Sequence, residues 1–401
     1  MTRRSGTAVS LIEDKAVGAL AGAAVGDALG GATEGWTPEQ IAERYGGPVT
    51  GIVPPYFADW RDARPVAPYH KGDGHITDDT LMTHALVDVY AKRRTHLDAY
   101  LVAEHLVPLL ISEKRWVPEL ETSALLLQRI FLAEKWLVAR LHYGHVDPRE
   151  AGVGNIVNCG AAMYMVPVGI ANAGDPIGAY AEAIDIAGAH QSSYGREAAG
   201  VFAAAVAAAM APGATPADVF AAAVDVAHDG TRAALFAVEM AARGTAGELG
   251  ARLRAAIAPY DTVGHNYREP SMDARRPSRT KSIEELPVAL GFVLASGGDV
   301  RSAILGGVNY GRDADSIAAM AGAITGALNG VAAVPAEWRS EVAAASRIDI
   351  EQPGRVMAAV LADLHAADEQ RSAAVRAARS GLFAATTDTA ESTAAPDRVA
   401  T

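Results

Sequence analysis

The chain has 401 residues, a formal net charge of −12 at pH 7 and 50% hydrophobic residues. This composition excludes a mainly disordered or collagen-like chain, because it supplies enough apolar surface for a large core. An acidic chain repels phosphate backbones, so we expect no nucleic-acid partner. A single cysteine, Cys159, excludes an internal disulfide and a thiolate metal cage and fits a reducing cytoplasm.

The N-terminal segment has two arginines with no apolar stretch directly behind them, so we expect no signal peptide. We predict a flexible N-terminus over residues 1–10. The small-residue run 16–32 contains Asp27 and several glycines, and the run 198–211 is too short to cross a bilayer. We therefore expect a cytoplasmic protein with no membrane partner.

Helical patterns follow one another along the rest of the chain. The first helix is predicted over residues 16–29, and Thr37 to Gln40 read as a capping box with proline at the first helical position. After Asp79, apolar residues recur at helical spacing. Further helices are predicted at 97–111, 119–141, 176–188, 194–211, 230–243, 247–257, 283–295, 315–329 and 353–379, and Thr215-Pro216 also resembles a helix cap. Because no convincing series of alternating strands is present, the predicted fold class is all-α.

Segments without a helical pattern divide this helical chain. Two long loops, 46–76 and 260–281, carry many polar, proline and glycine residues, and loops of this length are typically functional or disordered. The tail over residues 384–401 is rich in Thr, Ala, Ser and Asp, and we predict that it is disordered. No other stretch resembles an interdomain linker, so we predict one domain over residues 11–383.

The first of three motifs is a row of glycines four residues apart, at positions 18, 22, 26 and 30. These glycines share one helix face, and each costs about 1 kcal/mol relative to alanine. Close packing of another helix would offset that cost. Such packing does not explain the carboxylates of Asp27 and Glu34, which lie within and just after the apolar segment.

The second motif is HITDDT, at residues 75–80. By itself it fits an ordinary helix N-terminus, because Asp and Thr cap helices and negative charge suits the positive end of the helix dipole. The alternative is metal binding. Adjacent carboxylates with flanking hydroxyls offer several hard oxygen ligands, which suit Mg²⁺ or Mn²⁺.

The third motif, GRDADSIAAMAGAITGALNG at residues 311–330, combines an Asp-x-Asp pair with glycines at 322, 326 and 330. We infer that the two glycine-faced helices pack closely. Their ends would then gather the carboxylates of Glu34, Asp78, Asp79, Asp313 and Asp315. Carboxylates so close cannot all stay ionised without cations. We therefore predict a pair of divalent ions, with hydroxyl ligands from Thr77 and Ser316.

At these motifs the chain resembles the ADP-ribosylglycohydrolase family, over about residues 16–330. The family includes ADP-ribosyl-arginine and ADP-ribosyl-serine hydrolases and the glycohydrolase that reactivates dinitrogenase reductase. The resemblance implies a single compact domain of orthogonal helices with a two-metal cleft holding Mg²⁺ or Mn²⁺. It implies the metal ligands Thr77, Asp78, Asp79, Asp313, Asp315 and Ser316, with Glu34, Asp78 and Asp315 as catalytic residues. The implied reaction is hydrolysis of the bond between ribose C1 and a nitrogen or oxygen atom.

Two further stretches resemble the family with departures. In VNCGAAMY, residues 157–164, Cys159 stands where Asn is usual and Tyr164 where Arg is usual, and Ala189 replaces Thr before His190. The resemblance implies substrate-binding roles for Cys159, Gly160, Tyr164, His190 and Gly311. Because the departures spare the metal motifs, we interpret them as a change of substrate. The predicted partner is an ADP-ribosyl- or ribosyl-containing small molecule or a modified protein.

Three alternatives remain beside this reading. The enzyme could act on a free NAD-derived or nucleoside metabolite, or the chain could be a non-catalytic ADP-ribose binder. Retention of every metal carboxylate counts against a binder. An isoprenoid cyclase also uses aspartate-rich helices, but its carbocation pocket needs aromatic walls. An aromatic content of 6% and the lack of a DDxxD motif count against that class.

Overall fold

The computed structural model describes residues 10–59, 70–260 and 279–388. Its α-helices are α1 (Leu11–Gly30), α2 (Pro38–Tyr45), α3 (Asp78–Arg93), α4 (Ala99–Leu101), α5 (Val107–Ser112), α6 (Leu132–Leu137), α7 (Val166–Ala171), α8 (Pro176–Gly188), α9 (Ser193–Met210), α10 (Pro216–Val226), α11 (Asp229–Arg243), α12 (Leu249–Ile257), α13 (Arg279–Ala295), α14 (Val300–Tyr310), α15 (Ala314–Asn329), α16 (Ala336–Ser346) and α17 (Gln352–Asp388). Within the described residues, the β-structure is one antiparallel hairpin of β1 (Lys114–Val117) and β2 (Thr122–Leu125). The predicted all-α fold class is confirmed.

Helix α1 forms the centre of the molecule and is buried from Lys15 to Gly30. It packs along α15, with further contacts to α14, α16 and α17. A Cβ atom at Gly22 would overlap the backbone of Gly322, and one at Gly26 would overlap the backbone of Ala318. The predicted close packing of the two glycine-faced helices is therefore confirmed. Backbone-to-backbone approach of this kind is available only where a side chain is absent.

Lys15 connects this central pair to a third helix. Its buried Nζ donates hydrogen bonds to the carbonyl oxygens of Ala209 at 2.9 Å, Ala327 at 2.6 Å and Leu328 at 3.1 Å. These carbonyls lie in the last turns of α9 and α15, where unpaired carbonyl groups and the helix dipole favour a cation. Lys15 therefore satisfies two helix ends inside the core.

Most predicted helices agree with the structure within a few residues, and the capping boxes at Thr37 and Thr215 are both present. The helix predicted over 119–141 is wrong up to residue 131, and residues 132–141 are helical. That stretch contains the hairpin strand β2, short helical turns and α6. A short leucine-rich run fits a helix and a hairpin strand equally well, because only a longer segment distinguishes the two. Helices α7, α14 and α16 were not predicted.

The C-terminal helix α17 continues to Asp388, and residues 389–401 lie outside the described residues. The predicted boundary of a disordered tail at residue 384 stays a prediction. Of the two long loops, 60–69 and 261–278 also lie outside the described residues. None of the helices in the described ranges has both the length and the apolarity to span a bilayer.

His96 joins α17 to the body of the protein. Its Nδ1 lies 2.5 Å from Glu182 Oε2 in α8, and its Nε2 lies 3.1 Å from Asp368 Oδ2 in α17. The hydrogen bond to Glu182 and the charge of both carboxylates outweigh burial and raise the pKa of His96 to about 9. The imidazolium therefore bridges two helices at neutral pH.

We expect His96→Gln to destabilise the protein at pH 6 and to have little effect near pH 10. A histidine in an unfolded chain has a pKa of about 6.5. Since the pKa of His96 in the folded protein is raised to about 9, its ion pairs stabilise the fold fully below the unfolded pKa. This stabilisation is lost as the pH rises through the folded pKa. Thermal melts of both proteins across this range measure the difference. His365→Gln, at an exposed histidine in α17, is the matched control. A difference that does not depend on pH would contradict the ionic bridge.

Candidate metal centre

Three helix ends converge because of the α1–α15 register. Gly30 at the end of α1 lies against the backbone of Ala314 at the start of α15. Helix α3 begins beside them, with Thr77 as its N-cap. The positive ends of α3 and α15 therefore point toward one place, where they favour negative charge. The HITDDT and GRDADS motifs both lie there.

Asp27 holds this arrangement together, although it is not one of the predicted site residues. Its fully buried carboxylate accepts hydrogen bonds from the amide and hydroxyl of Thr77, at 3.0 Å and 2.6 Å, and from the amide and hydroxyl of Thr80. Burial and the nearby Asp315 charge raise the pKa of Asp27 to about 7, and the threonine hydrogen bonds oppose that rise. Asp27 thus attaches the N-terminus of α3 to α1.

The predicted carboxylates gather in overlapping clusters. Oxygen atoms of Asp27, Asp79 and Asp315 lie within 4.8 Å of one another, and so do those of Glu34, Asp313 and Asp315. Asp315 belongs to both clusters. A third group, with the same spacing, contains Cys159, Glu285 and Asp313. The sequence motifs therefore identified most of the acidic residues, and the structure adds Asp27 and Glu285.

The predicted hydroxyl ligands lie at the same place. Ser316 Oγ donates to Asp79 Oδ1 at 2.9 Å, and Thr77 Oγ1 lies 3.5 Å from Asp79 Oδ2. Asp78 takes a different direction, because its Oδ2 accepts a hydrogen bond from the Phe131 amide at 3.0 Å. Among the described residues, Asp78 belongs to none of the three-residue clusters.

Electrostatics at the centre show a deficit of positive charge. Burial, followed by the charges of Asp315 and Asp27, raises the pKa of Asp79 well above its usual range. Burial also raises the pKa of Asp78 to about 6, against the opposing effect of Lys71. Buried carboxylates with raised pKa values and convergent hydroxyls are a donor set of hard oxygen atoms. This set fits divalent cations such as Mg²⁺ or Mn²⁺.

Lys71 is a residue of the centre that sequence reasoning missed. Its Nζ donates to Asp315 Oδ2 at 3.1 Å and to Glu34 Oε2. Burial alone would lower the pKa of Lys71, but the charges of Asp315 and Asp78 raise it above its usual value. Its position in a loop before α3 offered no motif, so no local signal could have identified it.

The predicted substrate loop contacts the centre through Cys159. Its Sγ donates to Asp313 Oδ2 at 3.1 Å and lies 3.3 Å from Ser316 Oγ. Burial, then the charges of Asp313 and Glu285, raises the pKa of the thiol well above its usual range. The thiol is therefore protonated and donates its hydrogen bond to Asp313 within the third cluster. Gly160 follows it, and a Cβ there would overlap the Glu134 carboxylate.

Tyr164 and His190 lie behind this loop, fully buried. Tyr164 donates its hydroxyl hydrogen to His190 Nδ1 at 3.0 Å, and His190 Nε2 donates to the Ala133 carbonyl at 2.9 Å. Burial lowers the pKa of His190 to about 4, so the ring is neutral. Both ring nitrogens are thus engaged within the protein. The substrate contacts implied for these two residues stay predictions, and the observed contacts are structural.

Gly311 has a specific backbone role. Its φ of 73° lies in the left-handed region, and a Cβ would overlap the Trp36 carbonyl oxygen. The Arg312 amide donates to that same oxygen at 3.0 Å. Trp36 stacks on Tyr56 and meets Phe57 edge-on, which forms an aromatic cluster close to Glu34 in the chain. Gly311 thus joins the start of the third motif to this cluster.

We expect Tyr164→Phe to lower the free energy of unfolding by about 1–3 kcal/mol, because a buried His190 nitrogen loses its donor. Tyr164→Arg would bury an unpaired guanidinium and is expected to prevent folding. Chemical denaturation measures both effects, and Tyr143→Phe, at a tyrosine that is 75% exposed, is the control. Unchanged stability with a changed substrate preference would instead support a direct substrate contact at Tyr164.

Comparisons with known proteins agree with the fold. The family model described as ADP-ribosylglycohydrolase matches residues 8–381. A solved structure titled "ADP-ribosylglycohydrolase-related protein complex" superposes with a TM-score of 0.53 and 20% identity, covering 85% of this chain and 100% of that one. At this identity the likeness shows the fold alone. Among curated proteins none matches.

Proposed function

Because the chain belongs to the ADP-ribosylglycohydrolase family, we propose that it is a divalent-metal-dependent hydrolase of ADP-ribosylated or ribosylated substrates. The bond cleaved would be the N- or O-glycosidic bond at ribose C1. The observation that carries this proposal is the largely buried set of overlapping carboxylate clusters around Asp315. Such a set is costly to fold and has no structural purpose that a smaller set would not serve.

The residues that would hold divalent metal are the predicted ligands, which Asp27 supports. They are Thr77, Asp78, Asp79, Asp313, Asp315 and Ser316. When bound, Mg²⁺ or Mn²⁺ would supply positive charge that offsets the carboxylates and orients the ribose hydroxyls. Asp27 would act mainly as the positioning residue for Thr77, because its oxygens accept several hydrogen bonds from the start of α3.

The chain's own groups support the chemical steps of the proposal. Glu34 follows the end of α1 in a turn, at the edge of its cluster, and would accept the proton of the attacking water. The carboxylate of Asp315 would face the positive charge that develops on the ribose ring in the transition state. Asp78, whose carboxylate accepts a hydrogen bond from the Phe131 amide, would be the third catalytic residue, on the side of the substrate loop.

The substrate could be a modified protein or a free nucleotide metabolite, and one observation favours the metabolite. A buried Tyr164 occupies the position where the family resemblance implies arginine, so the substrate loop presents no guanidinium there. A non-catalytic ADP-ribose binder is less well supported, because binding alone does not require five clustered carboxylates. A cytoplasmic location also stays part of the proposal.

Mass-spectrometric detection of released ADP-ribose or ribose tests the proposal. The panel contains ADP-ribosyl-arginine, ADP-ribosyl-serine, O-acetyl-ADP-ribose, NAD and simple nucleosides, each with Mg²⁺, Mn²⁺ or EDTA. Release that requires the metal from any one of them would support the hydrolase and identify the leaving group. Metal-dependent binding of ADP-ribose without release from any of them would favour the binder.

A further inference from the structure

Lys71 places a positive charge inside one of the carboxylate clusters. Its Nζ donates to Asp315 Oδ2 at 3.1 Å and to Glu34 Oε2, and both acceptors belong to the Glu34–Asp313–Asp315 cluster. The side chain of Lys71 is 17% exposed, and those of Glu34 and Asp315 are 9% and 5% exposed. This ion pair is therefore inside the protein, where charges interact more strongly than at a surface.

The backbone around Lys71 is held in place. Gly72 has a φ of 129° and packs so closely on Pro55 that a Cβ would lie 2.5 Å from the Pro55 nitrogen. The Asp73 amide donates to the Val53 carbonyl at 2.8 Å, and the His75 amide donates to the Gly72 carbonyl at 3.0 Å. The loop that carries Lys71 is thus tied to the segment before it and closed by a turn that precedes α3.

An ammonium group and a divalent ion compete for the same carboxylate oxygens. Both need the lone pairs of Glu34 and Asp315, and two cations between the same carboxylates would repel each other. The Asp27–Asp79–Asp315 cluster does not include Glu34, and the Thr77 and Ser316 hydroxyls donate to its Asp27 and Asp79 carboxylates. This cluster therefore keeps a set of oxygen donors for one ion without the Glu34 oxygens.

We propose that the Lys71 ammonium replaces one of the two divalent ions predicted for this centre, so that the native chain binds a single ion. The bound ion would lie on the Asp79 side, and the Lys71 ammonium would stay between Glu34 Oε2 and Asp315 Oδ2. This inference rests on the proposed metal dependence and departs from the two-ion centre that the family resemblance implies.

The test counts bound ions directly. Chelator-stripped protein is titrated with Mn²⁺ by calorimetry, and bound Mn²⁺ is observed by electron paramagnetic resonance. We expect one ion per chain for the native protein and for Lys71→Arg, which keeps the charge. Lys71→Met keeps the aliphatic stem without the charge, so we expect two ions per chain and a spin-coupled pair signal. Lys92→Met, at an exposed lysine on α3, is the control and should bind one ion.

Each other outcome has a distinct meaning. Two ions in the native protein would overturn the role of Lys71 and leave the proposed hydrolase intact. The same count in the native protein and in folded Lys71→Met would also overturn it. No Mn²⁺ binding by the native protein would overturn the proposed metal dependence itself. If Lys71→Met does not fold, a native count of two ions would still overturn the inference.

Discussion

Asp315→Asn is expected to reduce glycoside hydrolysis by about 10²–10³-fold, while the helical fold is kept. Asp315 belongs to both carboxylate clusters and accepts the hydrogen bond from Lys71, so it connects the groups of the proposed site. Asparagine has the same shape and keeps an oxygen that can accept from the Ser316 amide, as Asp315 Oδ1 does at 3.1 Å. The loss of activity would therefore come from the missing negative charge and not from disruption of the N-terminus of α15.

Product release under saturating substrate measures this effect, and circular dichroism checks the fold. Asp299→Asn is a matched control, because Asp299 is an exposed helix cap that accepts from the Ser302 amide at 2.8 Å. That variant should keep native activity. Native activity of Asp315→Asn in the presence of EDTA would contradict the proposed metal-dependent mechanism.

Gly22→Val is expected to lower the free energy of unfolding by about 3 kcal/mol or more, or to prevent accumulation of folded protein. A Cβ at this position would overlap the carbonyl oxygen of Gly322, which belongs to the backbone of a helix and cannot rotate away as a side chain does. The helices α1 and α15 would have to separate along their length. Because their ends carry the carboxylates, metal affinity should fall together with stability.

Urea denaturation of native protein, Gly22→Ala and Gly22→Val gives a graded series for this packing. Gly381→Val is the control, since a Cβ at Gly381 in α17 meets no other group within 4 Å. Valine also has a better helix propensity than glycine, so that variant should be neutral or slightly stabilised. A native-like melt for Gly22→Val would mean that the two helices are not in backbone contact.

Local signals in the sequence determined the helices and the principal motifs. The capping boxes at Thr37 and Thr215 and the glycines four residues apart act within a few positions of the chain, so they can be interpreted without a partner. The carboxylates around Asp313 and Asp315 were likewise identified by their own spacing. The predicted closeness of the glycine helices followed because glycine in a helix interior needs a compensating contact.

Only the tertiary structure decided how the remaining groups act. The Lys71–Asp315 contact joins residues 244 positions apart, and the Asp27–Thr77 contact joins residues 50 apart. Burial places Tyr164 and His190 in a hydrogen-bonded pair in the core, and their substrate contacts stay predictions. The charge at one site depends on which distant residues surround it, because Coulomb interactions act through space. The sequence by itself therefore determined most of the helices and the acidic motifs, and folding decided that the Lys71 ammonium and the hydrogen bonds of Asp27 accompany them.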